Sequence, residues 1–184
     1  MKAKNLSDKL CSEKELAAAT AKMFPSPTAL INSQGVSKNA SLISDSLSKG
    51  GSILHGTPPT DSSPTTKMSP VILKSVNPSM SIYREESFGP TVSVIEISTE
   101  EEAIRISNDT DYGLAAGIYT RDLQRGLRIA RAVESGAVHI NGHNGSVHDE
   151  AGLPHGGMKD SGFGRFGSLG LEEWVRTKTV TFMD

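Results

Sequence analysis

The run from Thr91 to Asn141 limits the fold more than any other part of the chain. It alternates strand, helix, strand, helix, strand. "TVSVIEI" carries β-branched residues at Val92, Val94, Ile95 and Ile97, the composition of a strand. Ser98 and Thr99 then offer N-caps, with Glu101 or Glu102 three residues on, so the helix "EEEAIRISND" opens on a capping-box pattern. "AAGIYT" is the next strand and "RDLQRGLRIARAVES" the next helix, with Leu123, Leu127 and Ala130 on one face and Gly136 as its expected stop. "AVHIN" closes the series. This order predicts an α/β fold with a largely parallel sheet.

The flanking segments are less regular. "NLSDKLCSEKELAAATAKMF" has Leu6, Leu10, Ala17, Ala21 and Phe24 roughly along one helical face, and Pro25 and Pro27 stop it. A second helix is expected after Gly35, with Val36, Ala40, Ile43 and Leu47 as its apolar stripe and Gly50-Gly51 as its end. "SILHG" and "VILKSV" are strand candidates. Between them "TPPTDSSPTTKMSP" has the composition of a mobile loop. Toward the C-terminus "LEEWVR" has a helical pattern and "TKTVTFMD" an extended one.

Composition excludes several classes. The 184 residues carry a formal net charge of -2 with both signs interspersed, so no basic footprint for nucleic acid is present. No apolar run is long enough to span a bilayer, and "MKAKNLSDKL" lacks the apolar core of a secretory signal. Cys11 is the single cysteine, which suits a reducing compartment. These features lead us to expect a cytoplasmic protein with no membrane or nucleic-acid partner.

Four motifs could carry chemistry. "GFGRFG", Gly162 to Gly167, matches G-x-G-x-x-G letter for letter. No strand precedes it and no βαβ unit follows, so glycines that let backbones pack closely are the better reading. "HINGHNGSVHDEAGLPH" holds His139, His143, His148, Asp149, Glu150 and His155, all metal-capable. Their spacing places no pair on one helix turn, which favours a loop rim over a metal site. Cys11 sits inside an amphipathic helix pattern, away from the open electropositive setting a nucleophilic thiolate needs. Finally, "EESFGP" sets Glu85 and Glu86 before a Phe-Gly-Pro turn. A carboxylate fixed at a turn can accept two hydrogen bonds from a vicinal diol such as a ribose. Phe88 beside it can pack against a flat ring. Plain surface charge is the alternative.

Together "EESFGP", "NDTDYGLAAGIYTRD", "ESGAVHIN", "GLPHGGMKDSGFGRFG" and "LEEWVRTKTV" resemble, in order and spacing, the C-terminal portion of the aldehyde dehydrogenase superfamily. "HINGHNGSVHDE" is most similar to the benzaldehyde, vanillin and salicylaldehyde type. The likeness is specific over residues 70 to 184. It is traceable before them, in "PTALINSQGVSK" and "SKGGSILHG".

The resemblance implies a three-layer αβα domain over residues 1–174, with a mobile loop at about 56–69. It implies an oligomerisation-type strand over residues 175–184 and no Rossmann cofactor domain. Glu86 matches the family carboxylate that grips the nicotinamide ribose hydroxyls, and Phe88 the phenylalanine near the nicotinamide. NAD or NADP is therefore the implied cofactor, through a partial site. The stretch holding His143, His148 and His155 matches the substrate channel, although the family commonly has an aromatic residue where His155 stands. The family's nucleophilic cysteine, general-base glutamate and oxyanion-hole asparagine match nothing in these 184 residues, and Cys11 falls after the nucleophile position. No catalytic residue and no metal ligand is carried over.

The expected reaction of the family is oxidation of an aldehyde, here an aromatic one, to the carboxylic acid. For this chain we expect a truncated relative that acts with a longer family member or as a homo-oligomer. The alternatives are a non-catalytic assembly or regulatory subunit, or an acid–base enzyme of secondary metabolism.

Overall fold

The computed structural model of the chain describes residues 6–60, 65–142, 156–163 and 178–183, with 6–12 described by backbone alone. The chain divides into two units, Met1–Glu96 and Ile97–Asp184.

The first unit begins with helix α1, Leu6–Met23. Of its expected apolar face, Ala17 is half-buried, Ala21 and Phe24 are exposed, and Phe24 lies past the helix end. Strand β1, Thr28–Ala29, comes next, and then helix α2, Ser33–Ser48. Asn32 caps α2 by accepting from the Gly35 N–H at 2.9 Å, so the helix starts earlier than its apolar pattern suggests. Gly50 (φ 92°) and Gly51, whose N–H reaches the Ser46 carbonyl at 2.8 Å, end it as expected. The buried residues of α2 are Val36, Asn39, Leu42, Ile43 and Ser46 rather than the expected apolar positions; Leu47 is exposed.

Strand β2 is Ser52–His55, β3 Lys67–Met68, β4 Val71–Lys74 and β5 Thr91–Val94. β4 pairs antiparallel with β2 and parallel with β5, with Val71 opposite Thr91 and Lys74 opposite Val94. β1 and β3 form a separate antiparallel pair. The segment expected to be all loop at 56–69 therefore contains a strand at its end, and the same pairing buries Met68. Val36, Ile43, Met68, Val71, Leu73, Val76 and Met80 make the core of this unit.

The second unit holds helix α3 (Glu100–Asn108), β6 (Tyr112–Gly113), β7 (Ala115–Ile118), helix α4 (Leu123–Ala132), β8 (Ala137–Ile140), β9 (Met158–Lys159) and β10 (Thr179–Phe182). The capping box of α3 is present. Thr99 Oγ1 accepts from the Glu102 N–H, and the Glu102 carboxylate accepts from the Ser98 N–H. β7, β8 and β10 form a parallel sheet in the order β10-β8-β7, and β6 pairs antiparallel with β9. Among the described residues its core is Ala130, Val138 and Ile140, flanked by Ala116, Ile118, Leu123, Leu127 and Val180.

α4 ends at Ala132, ahead of Gly136. That glycine serves a close approach instead, since a Cβ there would overlap the Gly156 carbonyl. Strand β10 pairs with β8 of its own chain. Lys178 fastens its start by donating to the carbonyls of Ala130, Arg131 and Val133 at the end of α4. Burial pushes the Lys178 pKa down, and Glu134 partly offsets this. Mixed α/β structure with parallel strands is thus found in both units, with antiparallel additions. Among the described residues, no helix is long and apolar enough to cross a membrane.

Candidate functional site

The turn that carries Glu86 and Phe88 lies in the first unit, between a short 3-10 helix, Ser81–Tyr83, and β5. Its approach is fixed from both sides. Met80 is fully buried, and Asp45 on α2 accepts from the Ser81 N–H at 2.7 Å. The Lys49 hydrogen bond and then that of Ser81 hold the Asp45 carboxyl below its usual range. On the exit side the Val71 N–H of β4 donates to the Pro90 carbonyl at 2.9 Å.

Within the turn, neighbouring side chains satisfy the backbone carbonyls. Lys38 Nζ donates to the Glu86 carbonyl at 2.7 Å, and Asn39 Nδ2 to the Ser87 carbonyl at 3.0 Å. Ser87 Oγ bridges the carbonyls of Gly89 and Thr91 at 3.3 and 3.4 Å. Phe88 sits at φ 47°, a conformation that bulky side chains rarely adopt. Its ring is nevertheless 80% exposed. Glu85 and Glu86 are exposed as well. The result is a pinned backbone carrying an outlying carboxylate and an outlying aromatic ring two positions apart. That is a fit for a diol and a flat heterocycle.

The other candidates are distributed differently. His143, His148 and His155 lie outside the described residues, as do Asp149, Glu150 and Gly164 to Gly167. His139 lies in β8, where Nδ1 meets Thr181 Oγ1 of β10, while Nε2 is buried without a partner among the described residues. No group of three metal-capable side chains occurs among the described residues. A groove of about 670 Å³ runs between α2 and Pro58-Pro59, lined by Ser37, Ala40 and Ser41. It includes neither Glu86 nor Phe88.

Sequence reasoning missed Lys38, Asn39 and Thr91. The available signal was a polar residue, Asn39, at the helical spacing of Val36 and Ile43. A buried asparagine must find partners, and here they are on the turn.

The sequence model of the aldehyde dehydrogenase family matches residues 17–180. The chain belongs to the aldehyde dehydrogenase family. It is 40% identical to vanillin dehydrogenase of a Pseudomonas species over 144 residues, covering 78% of this chain and 29% of that protein. Salicylaldehyde dehydrogenase from Pseudomonas putida, solved with salicylaldehyde, superposes with TM-score 0.70 at 38% identity, covering 79% of this chain and 29% of the other. Succinate-semialdehyde dehydrogenase from Burkholderia pseudomallei superposes with TM-score 0.74 at 38% identity, covering 88% and 34%. The chain thus spans about a third or less of these aldehyde dehydrogenases. The family uses NAD(P).

Proposed function

We propose that these residues form the nicotinamide-ribose half of an aldehyde dehydrogenase cofactor site. Glu86 would accept hydrogen bonds from the two ribose hydroxyls, and Phe88 would pack beside the nicotinamide. Bound NAD(P)+ supplies the hydride acceptor for aldehyde oxidation. The chain's own part is to orient that end of the cofactor. The observation that carries this reading is the pinned turn, with its exposed carboxylate and its exposed ring held at positive φ. Strain of this kind is characteristically retained where function needs it.

The nearness of vanillin and salicylaldehyde dehydrogenases favours an aromatic aldehyde as substrate, oxidised to its acid. The thiolate nucleophile and the base would come from an element not represented in these 184 residues, on the same polypeptide or on a longer partner. Residues 1–174 would then be the catalytic-domain portion and 175–184 the assembly strand.

A second reading, a non-catalytic assembly subunit, is favoured by one observation. Among the described residues β10 is an edge strand of its sheet, with its Phe182 and the following Met183 half exposed.

Thermal melts with and without millimolar NAD+ or NADP+ separate the two. The cofactor reading predicts a cooperative melt raised by either nucleotide and no rise in Glu86→Gln. A cooperative melt that neither nucleotide moves would contradict it and support assembly.

A further inference from the structure

The turn bearing Glu86 and Phe88 is set from α2, through one fully buried side chain. Asn39 is 0% exposed. Its Nδ2 donates to the Gly35 carbonyl at 2.9 Å and to the Ser87 carbonyl at 3.0 Å. Its Oδ1 accepts from Thr91 Oγ1 at 2.5 Å. With three partners the amide is fixed in both position and orientation.

Gly89 then passes directly against it. A Cβ at position 89 would overlap the Asn39 amide, with Cγ only 2.7 Å away. The amide has no room to yield, because moving it breaks hydrogen bonds to buried groups. Phe88, at φ 47°, sits between the carbonyl that Asn39 holds and the glycine that Asn39 touches. A residue stays in so sparsely populated a region only where its surroundings over-determine it.

We infer that Asn39 is the positioning residue of this site: it fixes the backbone of residues 87 to 89 and thereby the presentation of Glu86 and Phe88. That the presentation serves a nicotinamide riboside rests on the function proposed above; the positioning itself does not. Asn39 touches no reacting atom in this account and acts only through the turn.

The test is hydrogen exchange of the full chain, read at residues 86–91 and at 71–74 of β4. Titration with nicotinamide mononucleotide runs in parallel. Asn39→Leu keeps the bulk and removes the polar contacts. It should speed exchange in the turn by about tenfold or more, with β4 little changed, and weaken the mononucleotide by a similar factor. Thr91→Val is close in shape and removes only the bond that orients the amide. It should give the same pattern at smaller size, and it decides the matter if Asn39→Leu does not fold.

A coupling test reads the contact itself. Gly89→Ala should open the turn in the native background but add nothing in an Asn39→Ala background, because the colliding group is gone. Unchanged turn exchange in Thr91→Val, together with additive effects of Asn39→Ala and Gly89→Ala, would overturn the inference. If the native chain fails to bind the mononucleotide while the exchange pattern appears as stated, the positioning role stands and the cofactor reading falls.

Discussion

The two units carry parallel strands at their centres but secure them by different means. In the first, β4 lies between β2 and β5 over a core that includes Ile43, Val71, Leu73 and Met80. A buried polar side chain, Asn39, holds a turn through the Ser87 carbonyl and is itself held by buried Thr91. In the second, the core among the described residues is Ala130, Val138 and Ile140, and lysines reach backbone carbonyls at element ends, as Lys38 and Lys49 do in the first. Lys178 closes the end of α4, and Lys159 donates to the carbonyls of Asn108 and Thr110. Both units hold residues other than glycine at positive φ, Ser75 and Phe88 in the first and Asn141 and Lys159 in the second. Phe88 differs in its bracing, since it lies between the Ser87 carbonyl that Asn39 holds and Gly89, which passes against the same amide. A bulky residue in that region costs of order 1–3 kcal/mol and needs a firm surround.

The largest effect is expected at the centre of the first unit's sheet. Leu73→Ala removes a fully buried side chain from β4 and should cost about 2–5 kcal/mol. A urea titration should show the loss, with faster exchange in the Glu86 turn. A smaller loss with the turn intact would mean that the core does not support the turn.

The cation clamps can be compared directly. Lys178→Met should cost about 1.5–3 kcal/mol, because charge-assisted bonds to several carbonyls disappear, and exchange should rise in β10. Lys38→Met removes one bond at an exposed site and should cost about 0.5–1.5 kcal/mol. Equal costs in chemical denaturation would erase the contrast between the units.

Phe88→Gly separates stability from function. Glycine tolerates positive φ, so stability should stay level or rise by about 1 kcal/mol. Binding of the nicotinamide end should weaken. A variant that is less stable would show that the ring packs for the fold's sake.

The smallest effect is electrostatic. Glu100 on α3 accepts from Arg125 Nε at 2.9 Å and from Arg128 Nε at 2.8 Å on α4. The Arg128 hydrogen bond, and then that of Arg125, hold its carboxyl below the usual 4.5. A depressed carboxylate pKa stabilises the fold above its unfolded value, and the contribution is lost as pH falls through the folded value. Melts of the native chain should therefore drop below about pH 4.5 more steeply than those of Glu100→Gln. The contact is on the surface, so the gap should be small and should shrink with salt.

Much of this was legible in the sequence. The β-α-β alternation of residues 91–141 and the Thr99 cap were written in side-chain type, because each is decided within a few residues. Glu86 and Phe88 were likewise marked by a local motif. The hold on that motif was not. Asn39 lies 48 residues before Ser87 and 52 before Thr91, so its partners exist only once α2 lies against the turn. Position 136 was misread for a related reason. Gly136 looks like a helix stop, yet its absent side chain makes room for Gly156, twenty residues on. Strand β3 was hidden because Lys67–Met68 is too short to alternate and is defined by its pairing with Thr28–Ala29.

The function proposed for Glu86 and Phe88 requires them to grip the nicotinamide end of the cofactor. The most direct measurement is saturation-transfer NMR on the ring protons of nicotinamide mononucleotide, with the native chain and with Glu86→Gln. The account predicts transfer in the native chain and its loss in the variant, with both chains melting alike. Equal transfer in both, or none in either, would contradict it.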